Sequence, residues 1–433
     1  MSAKYEKLGL ESRWAAIQLL NRVIEDGLPI TNQLDSAPVF KGLNGADRAR
    51  AQRLAANTLR QLGRIDLVLG EYLKRLPPTI PLNILRLAVF EICAEKTSPY
   101  GVVDSAVSLM KKTRKLAKFS GLANAVLRKI STTRIDSWES EQVTKLPNWL
   151  RNRLVSVYGE KIVNNIEISH MQGAQLDITL KPELNVKEWV EKLDALLLPT
   201  GSLRLKGSPQ ISTLPGYEEG LWWVQDAAAA LPVKLLGTIK NKNVLDVCAA
   251  PGGKTLQIAS MGANVTALDK STDRLKLLRN NLDRTSLLAT VVQTDFISWN
   301  TNDKFDFILL DAPCTATGTI RRHPDLPLLK SEKDLKTIIK LQANLIDKAV
   351  SMLSPNGRLV FSTCSLLPEE GELQIKAAIE RHNLKAVTVR SNLLGLEPGW
   401  YNSHEGTIRL RPDHWKSLGG LDGFFLVALE RAS

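Results

Sequence analysis

The chain has 433 residues, 44% of them hydrophobic and 24% charged, and a formal net charge of +12. It is too long for one ordinary hydrophobic core, so two or three domains are expected. It contains no run of about 18 uncharged apolar residues and its first residues include no apolar signal region, so we expect neither a membrane protein nor a secreted one.

The positive charge is concentrated in the first third of the chain. Residues 1–135 contain 22 Lys and Arg against 11 Asp and Glu, a net charge of +11, whereas the later residues together contribute +1. A basic segment of this kind is typical of proteins that bind polyanions. Nucleic acid is the expected partner rather than a membrane, because no lipid anchor or basic amphipathic tail accompanies the charge.

The cysteines do not have the spacing of a disulfide framework or a zinc site. They are Cys93, Cys248, Cys314 and Cys364, with no CxxC pair among them. The five histidines also lie far apart in the sequence, so no metal is expected. Free thiols persist in a reducing compartment, and we therefore expect a cytoplasmic protein. We also expect a monomer.

Apolar residues recur at three- and four-residue spacings from Ser12 to about Lys129, a pattern that predicts helices. No convincing strand pattern interrupts them, so residues 1–135 are predicted to form an all-α domain. A helix is predicted over Val102–Lys118, and basic residues crowd its end: Lys111, Lys112, Arg114, Lys115 and Lys118. Such a cluster is either a solvated helix end that suits the helix dipole or a contact for nucleic acid. The net charge of the domain favours nucleic acid.

A small α/β connector is predicted over residues 136–220. It contains a helix around Trp149–Tyr158, a short strand over Asp177–Leu180 and a helix over Val186–Leu197. A stretch rich in Gly, Ser and Pro follows, from Gly201 to Gly220.

Residues 221–433 are predicted to form an α/β domain, because strand and helix patterns alternate from there onward. The predicted strands are Val244–Cys248, Val265–Asp269, Thr290–Gln293, Phe305–Asp311, Arg358–Cys364 and Phe424–Leu429. The predicted helices are Lys254–Ser260, Ser271–Asp283, Ser331–Leu353 and Glu369–Arg381. This alternation predicts a doubly wound sheet with right-handed crossovers.

The first predicted strand of this domain leads into the sequence CAAPGGKT, residues 248–255, and then into a helix. Small residues and paired glycines let the backbone approach a ligand closely, and the free amides of a helix N-terminus attract an anion. The loop is not the phosphate-binding loop of NTPases, because that motif needs a glycine where Cys248 stands. The GxGxxG dinucleotide fingerprint is absent too.

Three aspartates follow successive predicted strands. Asp269 ends the second strand, where a carboxylate can accept from both ribose hydroxyls. Asp295 follows the third strand, where a carboxylate can accept from an exocyclic amine. Asp311 ends the fourth strand. Each alone is weak evidence, since such an aspartate is often a helix N-cap. Together with the glycine loop they indicate a nucleoside cofactor, S-adenosylmethionine. The predicted cofactor-binding residues are Cys248, Ala249, Ala250, Pro251, Gly252, Gly253, Lys254, Asp269, Asp295 and Asp311.

Two cysteines follow two of the predicted strands. The sequence FDFILLDAPCTATG, residues 305–318, has the pattern of a strand buried on both faces, ends in Asp311 and continues to Cys314. The sequence RLVFSTC ends in Cys364. Ligands of open α/β sheets bind at the carboxyl ends of the strands, so the two thiols are predicted to form a paired-cysteine active site.

These motifs together resemble a known family. CAAPGGKT, then DAPCTATG, then STCS is similar to the RNA 5-methylcytosine methyltransferases, and GLANAVLR, Gly121–Arg128, resembles the NusB-like RNA-binding domain of one branch. The resemblance covers essentially the whole chain. One departure is Thr315, where the family usually has serine, and both side chains carry a hydroxyl. The resemblance implies a NusB-like all-α domain and a Rossmann-like S-adenosylmethionine-dependent methyltransferase domain, joined by the small α/β connector.

The resemblance also implies a reaction and roles for residues. A thiolate adds to C6 of cytosine so that C5 can take a methyl group, and a base then removes the C5 proton so that the thiol can leave. Composition and spacing do not decide which cysteine attacks; the resemblance implies Cys364 as the nucleophile and Cys314 as the residue that promotes release. Asp311 is then expected to bind the cytosine edge, and Lys254 to orient Asp311 or contact the base.

The implied substrate is one cytosine of small-subunit (16S) ribosomal RNA. The alternatives are the same C5 chemistry on another RNA such as tRNA, and a catalytically silent RNA-binding assembly factor on the same fold. The presence of both cysteines, the glycine loop and all three aspartates argues against a silent factor.

Overall fold

The protein, seen in a computed structural model, forms two compact units. The structure describes residues 9–33, 38–207, 209–388 and 394–432. The first unit, here called the helical unit, comprises the chain up to Gly173 together with Ile320–Lys330. The second, the sheet unit, comprises Ala174–Thr319 and the chain from Ser331 onward. The predicted boundaries at residues 135 and 220 do not coincide with this division by packing, and the three-domain organisation stays a prediction.

The helical unit contains helices and turns throughout its described part, which confirms the all-α prediction. The apolar faces of the helices bury residues such as Ile17, Leu54 and Leu85 in one core, because each helix repeats its apolar residues every three or four positions. The helices are Leu10–Ile24, Ile30–Gln33, Gly45–Arg60, Leu62–Tyr72, Thr79–Val89, Pro99–Met110, Arg114–Ala117, Ser120–Thr133, Asn148–Tyr158, Glu160–Gln172 and Leu326–Leu329. Single 3-10 or π turns lie at Pro38–Phe40, Phe90–Ala94 and Trp138–Ser140.

The basic cluster does not lie on one helix, so the single helix predicted over Val102–Lys118 is wrong. The helix Pro99–Met110 ends before the cluster, and the short helix Arg114–Ala117 carries part of it. The short helix is capped by Thr113, whose Oγ1 accepts a hydrogen bond from the Leu116 N–H at 3.4 Å. This N-cap begins a separate helix. The cations of the cluster are exposed, and the Lys112 ammonium lies 4.2 Å from the centroid of the Trp14 ring.

A segment from the second half of the chain, Ile320–Lys330, completes the helical unit. The carboxylate of Asp325 accepts a hydrogen bond from the Ile30 N–H at 2.9 Å. The Arg60 guanidinium donates to the Arg321 carbonyl at 3.0 Å, and burial lowers the pKa of Arg60 to about 10. The chain therefore enters the helical unit shortly after Cys314, which no local sequence pattern indicates.

The sheet unit begins with a small antiparallel sheet. Its strands are β1 (Leu176–Leu180), β2 (Ala195–Leu197), β3 (Leu203–Leu205) and β4 (Trp222–Val224), in the order β2-β3-β1-β4. The strand predicted over Asp177–Leu180 is present as β1. The predicted helix is right only over Val186–Lys192, because Asp194 adopts a positive φ of 46° and turns the chain into β2.

The rest of the sheet unit is a nine-stranded mixed sheet. Its strands are β5 (Asn243–Val247), β6 (Asn264–Asp269), β7 (Thr290–Gln293), β8 (Phe305–Asp311), β9 (Leu353–Thr363), β10 (Leu384–Ala386), β11 (Tyr401–Asn402), β12 (Thr407–Leu410) and β13 (Phe424–Arg431). The order is β11-β12-β13-β9-β8-β5-β6-β7, with β10 paired to β13. Strands β5 to β9 are parallel, as the doubly wound prediction requires, and the strands beyond β9 are antiparallel.

Helices cover both faces of the parallel strands. They are Leu231–Lys234, Gly253–Ser260, Thr272–Thr285, Glu332–Met352 and Glu372–His382. Alternate residues of β8 face opposite cores, since Ile308 and Leu310 pack in one hydrophobic cluster and Leu309 in the other. Burial on both faces explains the nearly continuous apolar run of this strand.

Neither a membrane span nor a metal cluster is found in the parts of the chain that the structure describes. No described helix is both long and apolar enough to cross a membrane. Among the same residues, no group of three or more His, Cys, Asp or Glu side chains is placed to hold a metal ion.

Candidate active site

The predicted site residues follow the carboxyl ends of neighbouring parallel strands. In the sheet, Val247 of β5 pairs with Leu310 of β8, and Asp311 of β8 pairs with Ser362 of β9. The loops after β5, β8 and β9 therefore start side by side at one edge of the sheet, where ligands of open α/β sheets bind.

The glycine loop after β5 is shaped by its own backbone. Cys248 adopts a positive φ of 62°, and the Ala249 N–H donates to the Leu268 carbonyl of β6 at 3.0 Å. Gly252 has a φ of 113°, and a Cβ there would lie 3.1 Å from the Leu278 side chain. Glycine is thus required both by the conformation and by the close approach of the helix Thr272–Thr285.

Asp269 connects the end of β6 to the glycine loop. Its buried carboxylate accepts hydrogen bonds from the Ala250 N–H at 3.2 Å and from the Ser271 N–H at 2.9 Å. The guanidinium of Arg274 lies 3.5 Å from the same carboxylate. The N-cap of the following helix is Ser271 rather than Asp269, so the capping alternative for Asp269 is not what the structure shows.

Asp295 lies at the same edge but is exposed. It follows Gln293, the register partner of Asp269 in the β6–β7 pair. Its carboxylate accepts a hydrogen bond from the Ile297 N–H at 2.9 Å, within its own turn. The structure therefore brings Asp295 near the end of β6 without tying it to the glycine loop.

The thiol of Cys248 is a poor candidate for chemistry. Burial raises the pKa of Cys248 to about 12, with the negative charge of Asp269 as the next cause. A thiol with so high a pKa stays protonated at neutral pH and is unreactive. Cys248 contributes its backbone conformation to the loop.

Asp311 and Lys254 form an ion pair between the loop after β5 and the end of β8. The Lys254 ammonium lies 2.6 Å from Asp311 Oδ2, and the Ser362 hydroxyl donates to Asp311 Oδ1 at 2.9 Å. Lys254 also lies 5.4 Å from the centroid of the Phe424 ring. Because the Asp311 side chain remains 30% exposed, its carboxylate is oriented by these two partners and stays accessible to a ligand.

The two cysteines after β8 and β9 lie against each other. The Sγ atoms of Cys314 and Cys364 are 3.4 Å apart, and both residues are partly buried. The hydrogen bond to Cys364 is the largest cause that raises the pKa of Cys314 well above its ordinary value; burial and the charges of Cys364 and Glu370 act in the same direction. With its pKa raised in this way, Cys314 stays a protonated thiol at neutral pH.

Sequence reasoning missed several residues that hold this site. Asp246, inside β5, is fully buried, and its Oδ2 accepts from the Thr255 hydroxyl at 2.6 Å. Burial raises the pKa of Asp246 to about 7. Glu370 and Ser362 also contact site residues. The one available signal was a polar residue within an apolar strand pattern, as at Asp246 and Ser362; nothing local distinguishes Glu370 from its neighbour Glu369.

These residues fit S-adenosylmethionine. The loop presents small side chains, and the helix Gly253–Ser260 begins there with free backbone amides. The carboxylates of Asp269 and Asp295 lie at adjacent strand ends, where hydroxyl and amine donors can reach them.

Two family profiles match the chain. Residues 10–132 match the NusB family, and residues 233–430 match the family described as 16S rRNA methyltransferase RsmB/F. The curated protein named ribosomal RNA small subunit methyltransferase B of Escherichia coli O1:K1 / APEC is 31% identical over 393 residues, which cover 85% of this chain and 90% of that protein.

Solved structures share the fold. The crystal structure of PH0851 superposes with a TM-score of 0.77 at 24% identity and covers 98% of both chains. NSun6 from Pyrococcus horikoshii, crystallised with the S-adenosylmethionine analogue SFG, gives a TM-score of 0.59 at 20% identity over 67% of this chain and all of that one. The chain belongs to the RsmB/F family of S-adenosylmethionine-dependent ribosomal RNA methyltransferases and carries a NusB domain at its N-terminal end.

Proposed function

We propose that this protein methylates C5 of a specific cytosine in small-subunit (16S) ribosomal RNA through a covalent cysteine–cytosine intermediate. The observation that carries the proposal is the pair of thiols, 3.4 Å apart, beside the ion pair of Lys254 and Asp311. The alternative of a silent assembly factor does not account for two thiols held in contact at the ligand-binding edge of the sheet.

Two thiols suit this reaction because C5 of cytosine is a poor nucleophile. Addition of a thiolate to C6 places electron density on C5, which then forms the bond to the incoming methyl group. The C5 proton must afterwards be removed so that the C5–C6 double bond re-forms and the thiolate leaves. One sulfur makes and breaks the bond to C6, and the second is close enough to act as the base.

Cys364 is the proposed nucleophile. Cys314 keeps its proton at neutral pH because its pKa is raised well above its ordinary value, with the hydrogen bond between the two sulfurs as the largest cause, so Cys364 is the thiol left to attack. Once Cys364 is bonded to C6, its sulfur is a thioether and no longer raises the pKa of Cys314 in this way. Cys314 can then lose its proton to solvent and take the C5 proton, which promotes release.

Asp311 is the proposed contact for the cytosine edge. With Lys254 on one oxygen and Ser362 on the other, its carboxylate has a fixed orientation. A carboxylate in this position accepts a hydrogen bond from the N3–H of the ring as the adduct forms. This contact favours protonation at N3 and stabilises the charge that develops on the ring. Lys254 orients Asp311 and lowers the cost of holding its charge.

The cofactor supplies an electrophilic methyl group when bound. We assign its binding to the loop Cys248–Lys254, to Asp269 and Asp295, and to Asp311 at the reacting end. Asp269 orders the loop through the Ala250 N–H and offers its remaining lone pairs to hydroxyl donors.

The helical unit is proposed to bind the RNA. Residues 1–135 carry almost all of the net charge of the chain, and the basic cluster at Lys111–Lys118 is exposed. Such a surface holds phosphates without reading base sequence. We further propose a monomer in the reducing cytoplasm, which keeps both active-site thiols free.

The test is transfer of a labelled methyl group to defined RNAs. Purified protein is incubated with labelled S-adenosylmethionine and either 16S ribosomal RNA or tRNA, and the product nucleosides are identified by mass spectrometry. We expect 5-methylcytidine in 16S ribosomal RNA at one position that bisulfite mapping locates. Label in tRNA alone would favour the tRNA alternative, and no transfer to either RNA, free or in assembling subunits, would favour the silent factor.

A further inference from the structure

Glu370 is a fully buried carboxylate behind the two cysteine loops. It ends the single 3-10 turn Pro368–Glu370, which follows β9 and precedes the helix Glu372–His382. A buried charge is costly unless it is paired or fully hydrogen-bonded, so its partners indicate what holds it there.

The side chain of Glu370 contacts the residue after each cysteine. Its Oε1 accepts from the Thr315 N–H at 2.8 Å, and its Oε2 accepts from the hydroxyls of Thr315 and Ser365, both at 2.5 Å. Thr315 follows Cys314 and Ser365 follows Cys364 in the sequence. One carboxylate thus joins the two loops that carry the thiols.

The residues before the two cysteines are held by the Glu370 backbone and by Gln342, a partner of its side chain. The Glu370 carbonyl accepts from the Thr363 hydroxyl at 3.0 Å. Gln342, on the helix Glu332–Met352, donates from Nε2 to the Pro313 carbonyl at 2.9 Å and to Glu370 Oε1 at 3.2 Å. Both neighbours of each cysteine are therefore bonded to Glu370 or to its partner Gln342.

The donor set around Glu370 suits a carboxylate. Its two oxygens have four hydrogen-bond partners: one amide N–H, two hydroxyls and one side-chain amide. A carboxylate can accept from all four. Hydrogen bonds to a charged acceptor are also stronger than neutral ones.

The charge of Glu370 acts on one thiol. It is among the causes that raise the pKa of Cys314. Glu370 therefore has two effects at once: it holds the loops so that the sulfurs meet at 3.4 Å, and its charge helps to keep the proton on Cys314.

We propose that Glu370 is a positioning residue that locks the two cysteine loops together and assigns the roles of attacking and releasing thiol. Because it is fully buried, it acts through Thr315, Ser365 and Cys314 rather than by contact with a ligand. The inference rests on the proposed function, because the roles it assigns are those of the C5 methylation reaction.

The first experiment measures thiol titration and needs no methyl transfer. In a Cys364→Ala background, the rate of Cys314 alkylation by iodoacetamide is followed by peptide mass spectrometry from pH 6 to pH 10, with and without Glu370→Gln. We expect Glu370→Gln to move the pH midpoint of Cys314 alkylation downward, because a raising charge is removed. Glu380→Gln, which removes an exposed carboxylate on the next helix, is the matched control and leaves the midpoint in place.

The second experiment separates kcat from KM with the cysteines intact. Glu370→Gln should lower kcat by at least about tenfold while KM for RNA stays within about twofold, because binding surfaces are untouched and only the reacting groups are misplaced. A folded Glu370→Gln protein overturns the proposal if its kcat is that of wild type, or if adding Glu370→Gln to Cys364→Ala leaves the alkylation midpoint of Cys314 unchanged.

A second variant covers the case in which Glu370→Gln does not fold. Thr315→Val keeps the hydrogen bond from the Thr315 N–H position to Glu370 and keeps the side-chain volume, but it removes one hydroxyl donor. We expect kcat to fall about threefold or more while KM is unchanged. An unchanged kcat overturns the proposal.

If wild-type protein makes no 5-methylcytidine, the proposed function fails. The alkylation midpoints still decide whether Glu370 controls Cys314, so the two failures are distinguishable.

Discussion

The helical unit and the sheet unit use charge in opposite ways. In the helical unit the cations of the basic cluster are exposed, where they create a long-range field that salt screens. In the sheet unit the carboxylates of Asp246, Asp269 and Glu370 are buried and act through fixed contacts of 2.5–3.2 Å. The difference predicts small, salt-dependent effects for changes in the first unit and large, salt-independent effects in the second.

The largest effect is expected from the two thiols of the sheet unit. Cys364→Ala should lower methylation at least about 10³-fold and give no covalent RNA adduct, because no bond to C6 can form. Cys314→Ala should still attack but release poorly, so a protein–RNA complex that resists denaturation should accumulate when S-adenosylmethionine is present. Denaturing gels with labelled RNA measure both. An adduct in Cys364→Ala but not in Cys314→Ala would reverse the assignment.

The next largest effect is the pH dependence of the stability of Asp246→Asn relative to wild type. Its pKa is raised to about 7 by burial, so the folded state binds a proton that the unfolded chain releases above about pH 4. The contribution of Asp246 to the free energy of unfolding is most favourable below about pH 4, and it is lost as the pH rises to about 7. Asp246→Asn, which cannot ionise, should therefore gain up to about 4 kcal/mol relative to wild type across this window.

Urea unfolding of wild type and Asp246→Asn at several pH values from 4.5 to 7.5 gives this difference. The exposed Asp303→Asn is the control, and its difference from wild type should not change with pH in this range. A constant difference for Asp246→Asn would show that Asp246 is already ionised in the folded protein at low pH.

A smaller effect is expected at the cofactor loop. Asp269→Ala should weaken S-adenosylmethionine binding by about 1–3 kcal/mol, because the loop loses the acceptor for the Ala250 N–H and the ligand hydroxyls lose theirs. RNA affinity should stay nearly constant. Calorimetric titration measures the cofactor affinity, with the exposed Asp273→Ala on the following helix as control. Unaltered affinity in Asp269→Ala would remove this residue from the binding site.

The smallest effect per residue is expected in the helical unit. Neutralising Lys111, Lys112, Arg114 and Lys115 together should weaken RNA binding and flatten its dependence on salt by about 0.7–0.9 log units for each phosphate that the variant no longer neutralises. Binding is measured by filter retention from low to high salt. A control with Lys240 and Lys242 neutralised, both exposed in the sheet unit, tests whether any removal of positive charge has the same result. An unchanged salt slope in the variant with four substitutions would mean that the basic cluster is exposed to solvent without contacting RNA phosphates.

Local pattern was sufficient for much of the fold and for placing the candidate site residues at the ends of strands. The six strands predicted after residue 220 are all present, because burial on one or both faces imposes a short-range pattern of apolar residues. The glycine loop was recognisable because a loop with this backbone conformation needs glycine, as at Gly252, which adopts a φ of 113°. Cys314 and Cys364 were identifiable as residues near strand ends, and in the structure they follow β8, which ends at Asp311, and β9, which ends at Thr363.

Tertiary structure decided how these groups meet. Cys314 and Cys364 are 50 positions apart, and only the pairing of β8 with β9 brings their sulfurs to 3.4 Å. Glu370 joins the two loops through contacts that no local pattern specifies, and Ile320–Lys330 packs in the helical unit although its sequence neighbours do not. Local sequence determines which residues stand at a strand end, whereas charge state and distance depend on strand order, burial and long-range hydrogen bonds.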